Sequence, residues 1–139
     1  MLDEALSRYP GAVAYRPGDG PALNARILAL MRSGAKTMTC DGWDNAVADG
    51  LPVPGRIDIA LDGDGRPAVA TRTLKVERIG FGAMDEARVG PQAEFRDLAD
   101  WRAGYRAFLS RNGTFSEDMP LMVETFEVVE DFGAATGAT

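Results

Sequence analysis

The sequence predicts an α+β fold: a curved, mostly antiparallel sheet or small barrel with helices packed at its sides. Three observations predict it. Two segments, "PALNARILALMRSG" and "EFRDLADWRAGYRAFLSRNG", carry apolar residues at helical spacing. Between them "RIDIALD" and "PAVATRTLKVERIGF" flank the turn "GDG", a hairpin signal. The closing segment "LMVETFEVVEDF" is rich in the β-branched and aromatic residues of a central strand.

Taken in chain order, a short helix is expected near Leu2–Ser7, within about residues 1–9, followed by a turn-rich connection, "YPGAVAYRPGDG". The first long helix follows, with Asp19 or Gly20 as its cap and Pro21 in the first turn, where a missing N–H costs nothing. Leu23, Ile27, Leu30 and Met31 mark its buried face, and Gly34 its stop. "KTMTC" is a strand candidate, and "DGWDNAVADGLPVPG" reads as a loop. In the next strand Ile57, Ile59 and Leu61 alternate with Asp58 and Ala60, as in a half-buried strand. Its partner is long enough that a bend or bulge is expected within it. "DEARVGPQ" reads as a polar turn. The second long helix has Leu98, Trp101, Tyr105, Phe108 and Leu109 on one stripe. Gly104 weakens it by roughly 1 kcal/mol relative to alanine. Asn112 and Gly113 end it, and a frayed tail is expected from about residue 133 to 139. No repeat or linker divides the chain, so residues 1–139 are expected to form one domain.

Composition narrows the chemistry. The net charge of −6 argues against extended DNA or RNA, whose binding requires many phosphates to be neutralised, but leaves room for one nucleotide in a local pocket. There is no histidine, which removes Ser-His-Asp and Cys-His catalysis and ordinary zinc sites; no metal and no cofactor are expected. Any acid or base must be Lys, Asp, Glu, Tyr or Cys. No apolar run approaches the roughly 18 residues of a membrane span, and the amphipathic, acidic start lacks the form of a signal peptide. With a single cysteine, Cys40, a cytoplasmic location is the expectation. Cys40 itself, with no basic partner in sequence, reads as a small buried residue.

In order and spacing these segments resemble the ASCH family. "GDGPALNARILALMRSGAKTMT" is similar to a family opening in which a helix runs into G-x-K-T-x-T. "LPVPGRIDIALDGDGRPAVATRTLKVERIGF" resembles the strand pair around D-G-x-G-x-P, and "DLADWRAGYRAFLSRNGTFSEDMPLMVETFEVVEDF" the W-R, G-x-F, D-M and E-x-F signatures. The likeness runs from about Gly18 to Phe132. It implies a PUA-like small β-barrel flanked by helices. For some relatives it also implies amide hydrolysis of N4-acetylcytidine, using a Lys, a Thr three residues later and a Glu. By position these are Lys36, Thr39 and Glu94, with Thr39 as nucleophile, Lys36 as base and Glu94 orienting. Two departures stand out: the E-G-E type segment reads "GPQAEF", with Gln92 near the first expected Glu, and Tyr105 replaces a histidine four residues after Trp101.

Each candidate also has a plain structural explanation. A cation just past Gly34 is favoured by the helix C-terminus without any function, and an acid at Glu94 suits a first helical turn. In a regular strand Lys36 and Thr39 face opposite sides, so their pairing requires a bend after Gly34. Thr37, Trp43, Arg72, Gln92 and Tyr105 are the candidate ligand contacts, with Trp43 as a lid aromatic able to stack on a base. Gln92 can donate and accept hydrogen bonds but cannot carry a proton. Tyr105 and Trp101 share the core stripe. Arg26, Arg32, Lys36, Arg72 and Lys75, if gathered on one face, would form a basic patch for RNA. The expected partner is therefore a nucleoside-like small molecule or an RNA nucleotide. The competing expectation is a non-catalytic RNA-binding or regulatory module.

Overall fold

The computed structural model describes residues 2–113 and 115–133. Its centre is a five-stranded sheet in the order β1-β3-β4-β5-β2, curled into a half-barrel with five helices around it. The strands are β1 (Val13–Tyr15), β2 (Met38–Gly42), β3 (Ile57–Leu61), β4 (Pro67–Gly80) and β5 (Pro120–Asp131). All neighbours are antiparallel except β1 and β3, which run parallel, so the sheet is mixed. The helices are α1 (Leu2–Arg8), α2 (Pro21–Ser33), α3 (Trp43–Asp49), α4 (Glu86–Val89) and α5 (Leu98–Asn112).

Where local periodicity is long, the elements lie where the residues dictate. Pro21 opens α2, and Gly34 ends it at φ 82°, a left-handed conformation that costs glycine little. The expected irregularity in β4 is present twice, between Ala70 and Thr71 and between Thr73 and Lys75. At the second, Leu74 is the extra residue: Thr73 pairs with Phe126 and Lys75 with Thr125. Such bulges bend the strand and curl the sheet.

Short elements depart from expectation. The connection before α2 contains β1, which at three residues is too short to show an alternation of its own and is held by pairing with β3. The loop after β2 contains α3, which buries Ala46. "DEARVGPQ" is a turn of helix capped by Asp85, whose side chain accepts from the Arg88 N–H, followed by a 3-10 turn over Gly90–Gln92. β2 starts at Met38 rather than Lys36, because the chain is still leaving α2 there. α5 starts at Leu98, where Asp97 caps it through the Asp100 N–H, so "EFRD" lies outside the helix. Both faces of β3 are covered at its centre: Asp58, Ile59 and Ala60 are all buried. Of the tail expected to fray, residues beyond 133 lie outside the described residues.

Two apolar clusters hold these pieces. Ile27, Leu28 and Met31 of α2 pack on Ala60, Ala68, Val69 and Phe126 of the sheet. Trp101 and Leu109 of α5 pack with Met38, Cys40, Phe81, Leu121 and Val123. Trp101 is the hub of the second cluster, stacked between Phe81 at 5.1 Å and Tyr105 at 5.0 Å. Gly104 has its place here too: a Cβ would come within 3.1 Å of the Phe95 ring, so the missing side chain lets that ring lie against α5.

Candidate functional site

The curl of the sheet leaves a cavity of about 760 Å³ on one face, walled by α2, α3 and α5. Ligand pockets typically span about 300–1,000 Å³. Strand alternation decides which residues reach it. Thr39, Cys40 and Asp41 of β2, Asp58 of β3 and Thr71 of β4 line it, together with Met122, Glu124 and Phe126, which are next but one along β5.

Lys36 enters from the turn after α2. The Gly34 N–H bonds to the Met31 carbonyl, Ala35 to the Ser33 hydroxyl, and the Lys36 N–H reaches back to the Leu30 carbonyl at 3.0 Å. This fold-back supplies the bend that brings Lys36 and Thr39 to one cavity. The Lys36 side chain is only 4% exposed. Its Nζ lies 2.7 Å from Glu94 Oε2 and donates to the Met38 carbonyl at 2.9 Å and the Gln92 carbonyl at 3.2 Å. Two of its donors are thus directed at backbone carbonyls, and the Glu94 carboxylate lies beside them as an ion pair.

Against this corner lies the 3-10 turn Gly90–Gln92. Gln92 is fully buried, donating through Nε2 to the Arg88 carbonyl at 2.9 Å and accepting the Cys40 thiol at 3.6 Å. Ala93 follows at φ 65°, a left-handed conformation unusual for a residue with a Cβ. It separates Gln92, which faces the core, from Glu94, which faces the cavity. Burial pushes the Cys40 thiol up to about 11, which keeps it protonated and unreactive at neutral pH. Burial, then Cys40, likewise hold the Tyr105 phenol well above its ordinary value. Its hydroxyl donates to the Cys40 carbonyl at 3.0 Å while the residue lines the cavity.

The predicted residues thus divide. Lys36, Thr39, Glu94 and Tyr105 meet at the cavity. Gln92, Thr37, Arg72 and Trp43 are not among its lining residues. Gln92 is walled in and holds Lys36 and Cys40 in place. Thr37 serves the backbone, donating to the Pro91 carbonyl at 2.8 Å and accepting from Phe126 at 2.9 Å. Arg72 falls on the opposite face from Thr71 and Thr73 and lies 4.0 Å from Glu127. Trp43 opens α3 under the guanidinium of Arg78, whose carbon is 5.0 Å from the ring centre. Of the five basic residues considered as an RNA patch, Arg32 pairs with Asp131, Lys36 with Glu94, Arg72 with Glu127 and Lys75 with Glu77.

Sequence reasoning missed the second polar wall. Arg56 grips Asp58 with two contacts, 2.8 and 3.0 Å, and donates to the Gly50 carbonyl at 2.9 Å. Glu124, 7% exposed, accepts the Thr73 hydroxyl at 2.6 Å. Burial raises the Glu124 pKa and the Thr73 hydrogen bond partly counters it; nearby Asp58 raises it and Arg56 lowers it. The available signal was a single acid at the centre of an otherwise apolar strand, "LMVETF". Among the described residues no cluster of His, Cys, Asp and Glu could hold a metal ion, and no helix is long and apolar enough to cross a membrane.

Comparison with known proteins agrees with this architecture. The chain superimposes on the ASCH domain from Lactobacillus crispatus JV V101 with a TM-score of 0.79 at 24% identity, covering 91% of this chain and 84% of that one. It superimposes on protein EF3133 from Enterococcus faecalis V583 with a TM-score of 0.84 at 26% identity, covering 98% and 90%. No curated protein matches it. The model of the ASCH domain matches residues 13–130, which takes in the whole sheet except the last residue of β5, the cavity and both of its polar walls, and the chain belongs to the ASCH domain family.

Proposed function

We propose that the cavity binds a nucleoside-like small molecule and hydrolyses an amide on it, of the kind present in N4-acetylcytidine. The observation that carries this reading is the buried Lys36–Glu94 pair, at 2.7 Å, sharing a cavity with the Thr39 side chain. Thr39 supplies a hydroxyl able to attack an amide carbonyl. Lys36, fixed by the Met38 and Gln92 carbonyls, supplies a positive charge beside the oxyanion that forms. Glu94 fixes the ammonium and limits where it can move. Tyr105 and Phe108 give the apolar side against which a flat base can lie.

The test is release of cytidine from N4-acetylcytidine by purified protein, followed by chromatography. Wild-type turnover is expected, with Thr39→Val and Lys36→Ala each slower by about a hundredfold or more. No turnover by the wild type, or equal turnover by Lys36→Ala, overturns the reading. Arg16, Arg26 and Arg111 also line the cavity, which favours one competing use: holding a single nucleotide of an RNA strand without chemistry. Salt-sensitive RNA binding together with no hydrolysis would select that use.

A further inference from the structure

If Thr39 attacks, its proton needs an acceptor, and the groups around it can be taken in turn. The Lys36 Nζ is surrounded by three acceptors. Glu94 is held against that ammonium. The Tyr105 hydroxyl donates to the Cys40 carbonyl, and the Cys40 thiol donates to Gln92. Asp58 is paired with the Arg56 guanidinium, and Asp41, two residues along β2, accepts the Gly42 N–H at 2.7 Å. Among the cavity carboxyls, Glu124 is the one the sheet register places opposite Thr39: the two are direct partners in the antiparallel β2–β5 pairing. Side chains of such partners stand on the same face with Cβ atoms about 5 Å apart. Both line the cavity. The Thr73 hydroxyl of β4 fixes one carboxyl oxygen of Glu124 at 2.6 Å.

We propose that Glu124 is the general base and acid of the amide hydrolysis, carrying the Thr39 proton, and that Thr73 is its positioning residue. This rests on the amide-hydrolase reading above. As the Thr39 Oγ1–carbonyl bond forms, the hydroxyl proton passes to Glu124. When the carbon–nitrogen bond breaks, Glu124 returns that proton to the departing amine, leaving an acyl ester on Thr39. Water then attacks the ester and gives its proton to Glu124. The carboxylic acid leaves, the proton returns to Thr39, and the cycle closes.

The surroundings suit the role. Facing Glu124 are Thr39 from β2, Thr73 from β4, Asp58 with Arg56 at β3, and Tyr15 from β1. Arg26 of α2, Arg111 of α5 and the Lys36–Glu94 pair line the same cavity. Burial is the largest influence and raises the carboxyl, moving its titration toward neutral pH, where acid–base catalysis is most effective.

The test compares Glu124→Gln, Glu124→Asp and Thr73→Val with wild type on N4-acetylcytidine across pH, after circular dichroism confirms folding. Glu124→Gln should lose about a hundredfold or more in kcat/KM with KM within about threefold. Glu124→Asp, which keeps a carboxyl, should retain an acid limb in the pH profile. The Thr73 hydrogen bond lowers the Glu124 pKa, so Thr73→Val should shift that limb to higher pH. If Glu124→Gln fails to fold, the Thr73→Val shift decides alone. An unmoved limb, or Glu124→Gln activity within threefold of wild type, overturns the role of Glu124 and leaves hydrolysis standing. Absence of wild-type turnover removes both readings.

Discussion

Glu94 and Glu124 are the same side chain on two walls of one cavity, and their surroundings differ. Glu94, 17% exposed, sits 2.7 Å from a buried ammonium, so its charge is matched by a neighbour. Glu124 is more deeply buried, has a hydroxyl for its close partner, and has Asp58 nearby. A paired carboxylate fixes a cation in place; a carboxyl buried without a cation in contact moves toward neutrality and can exchange a proton. Burial alone therefore does not assign a role. The partner does.

The contrast can be broken most severely at the pair. Lys36→Met leaves Glu94 without its cation and two carbonyls without a donor. It should lower folding stability by about 3 kcal/mol in urea denaturation at neutral pH. Adding Glu94→Gln to it should recover part of that loss, because the stranded charge is gone; a double variant no more stable than Lys36→Met would show the two residues to be uncoupled. At the other wall the expected signature is a slope with pH rather than a single large loss. The native Glu124 pKa lies above its ordinary value, 4.5, so the native state binds the proton more tightly than the unfolded state. Its contribution to stability is present below pH 4.5 and is lost as pH rises through the native value. Thermal melts should therefore show Glu124→Gln gaining on wild type over that interval and keeping a constant offset above it. The smallest effect concerns the turn that separates Gln92 from Glu94. Ala93→Gly relieves a left-handed alanine but adds unfolded-state freedom, for a net gain below about 1 kcal/mol. A loss instead would mean that the alanine methyl packs.

Much of the frame was legible because it is long. α2, α5 and the β3–β4 hairpin each repeat their pattern several times, and Gly34 marks a stop with a clear backbone reason. β1, α3 and α4 were not legible, since three to seven residues hold less than two periods of a helix or strand pattern and their pairing partners lie far along the chain. In the site, Lys36, Thr39 and Glu94 came from resemblance, and Tyr105 from its place four residues after Trp101. Arg72 was misplaced by parity: Thr71 and Thr73 take the inner face of β4, so the residue between them faces out. Asp58 was read as the solvent half of an alternation because nothing local reveals that helices cover that face too. Glu124 depends on register, which no stretch of sequence encodes by itself.

The enclosure of Lys36 has a practical consequence for covalent chemistry. The chain contains two lysines, Lys36 and Lys75. Lys75 is 64% exposed on β4, whereas Lys36 is 4% exposed, donates to two carbonyls and pairs with Glu94. An amine-directed reagent should modify the Lys75 side chain readily and spare Lys36. The slow labelling of Lys36 then becomes a clock, its rate reporting how frequently the cavity corner opens.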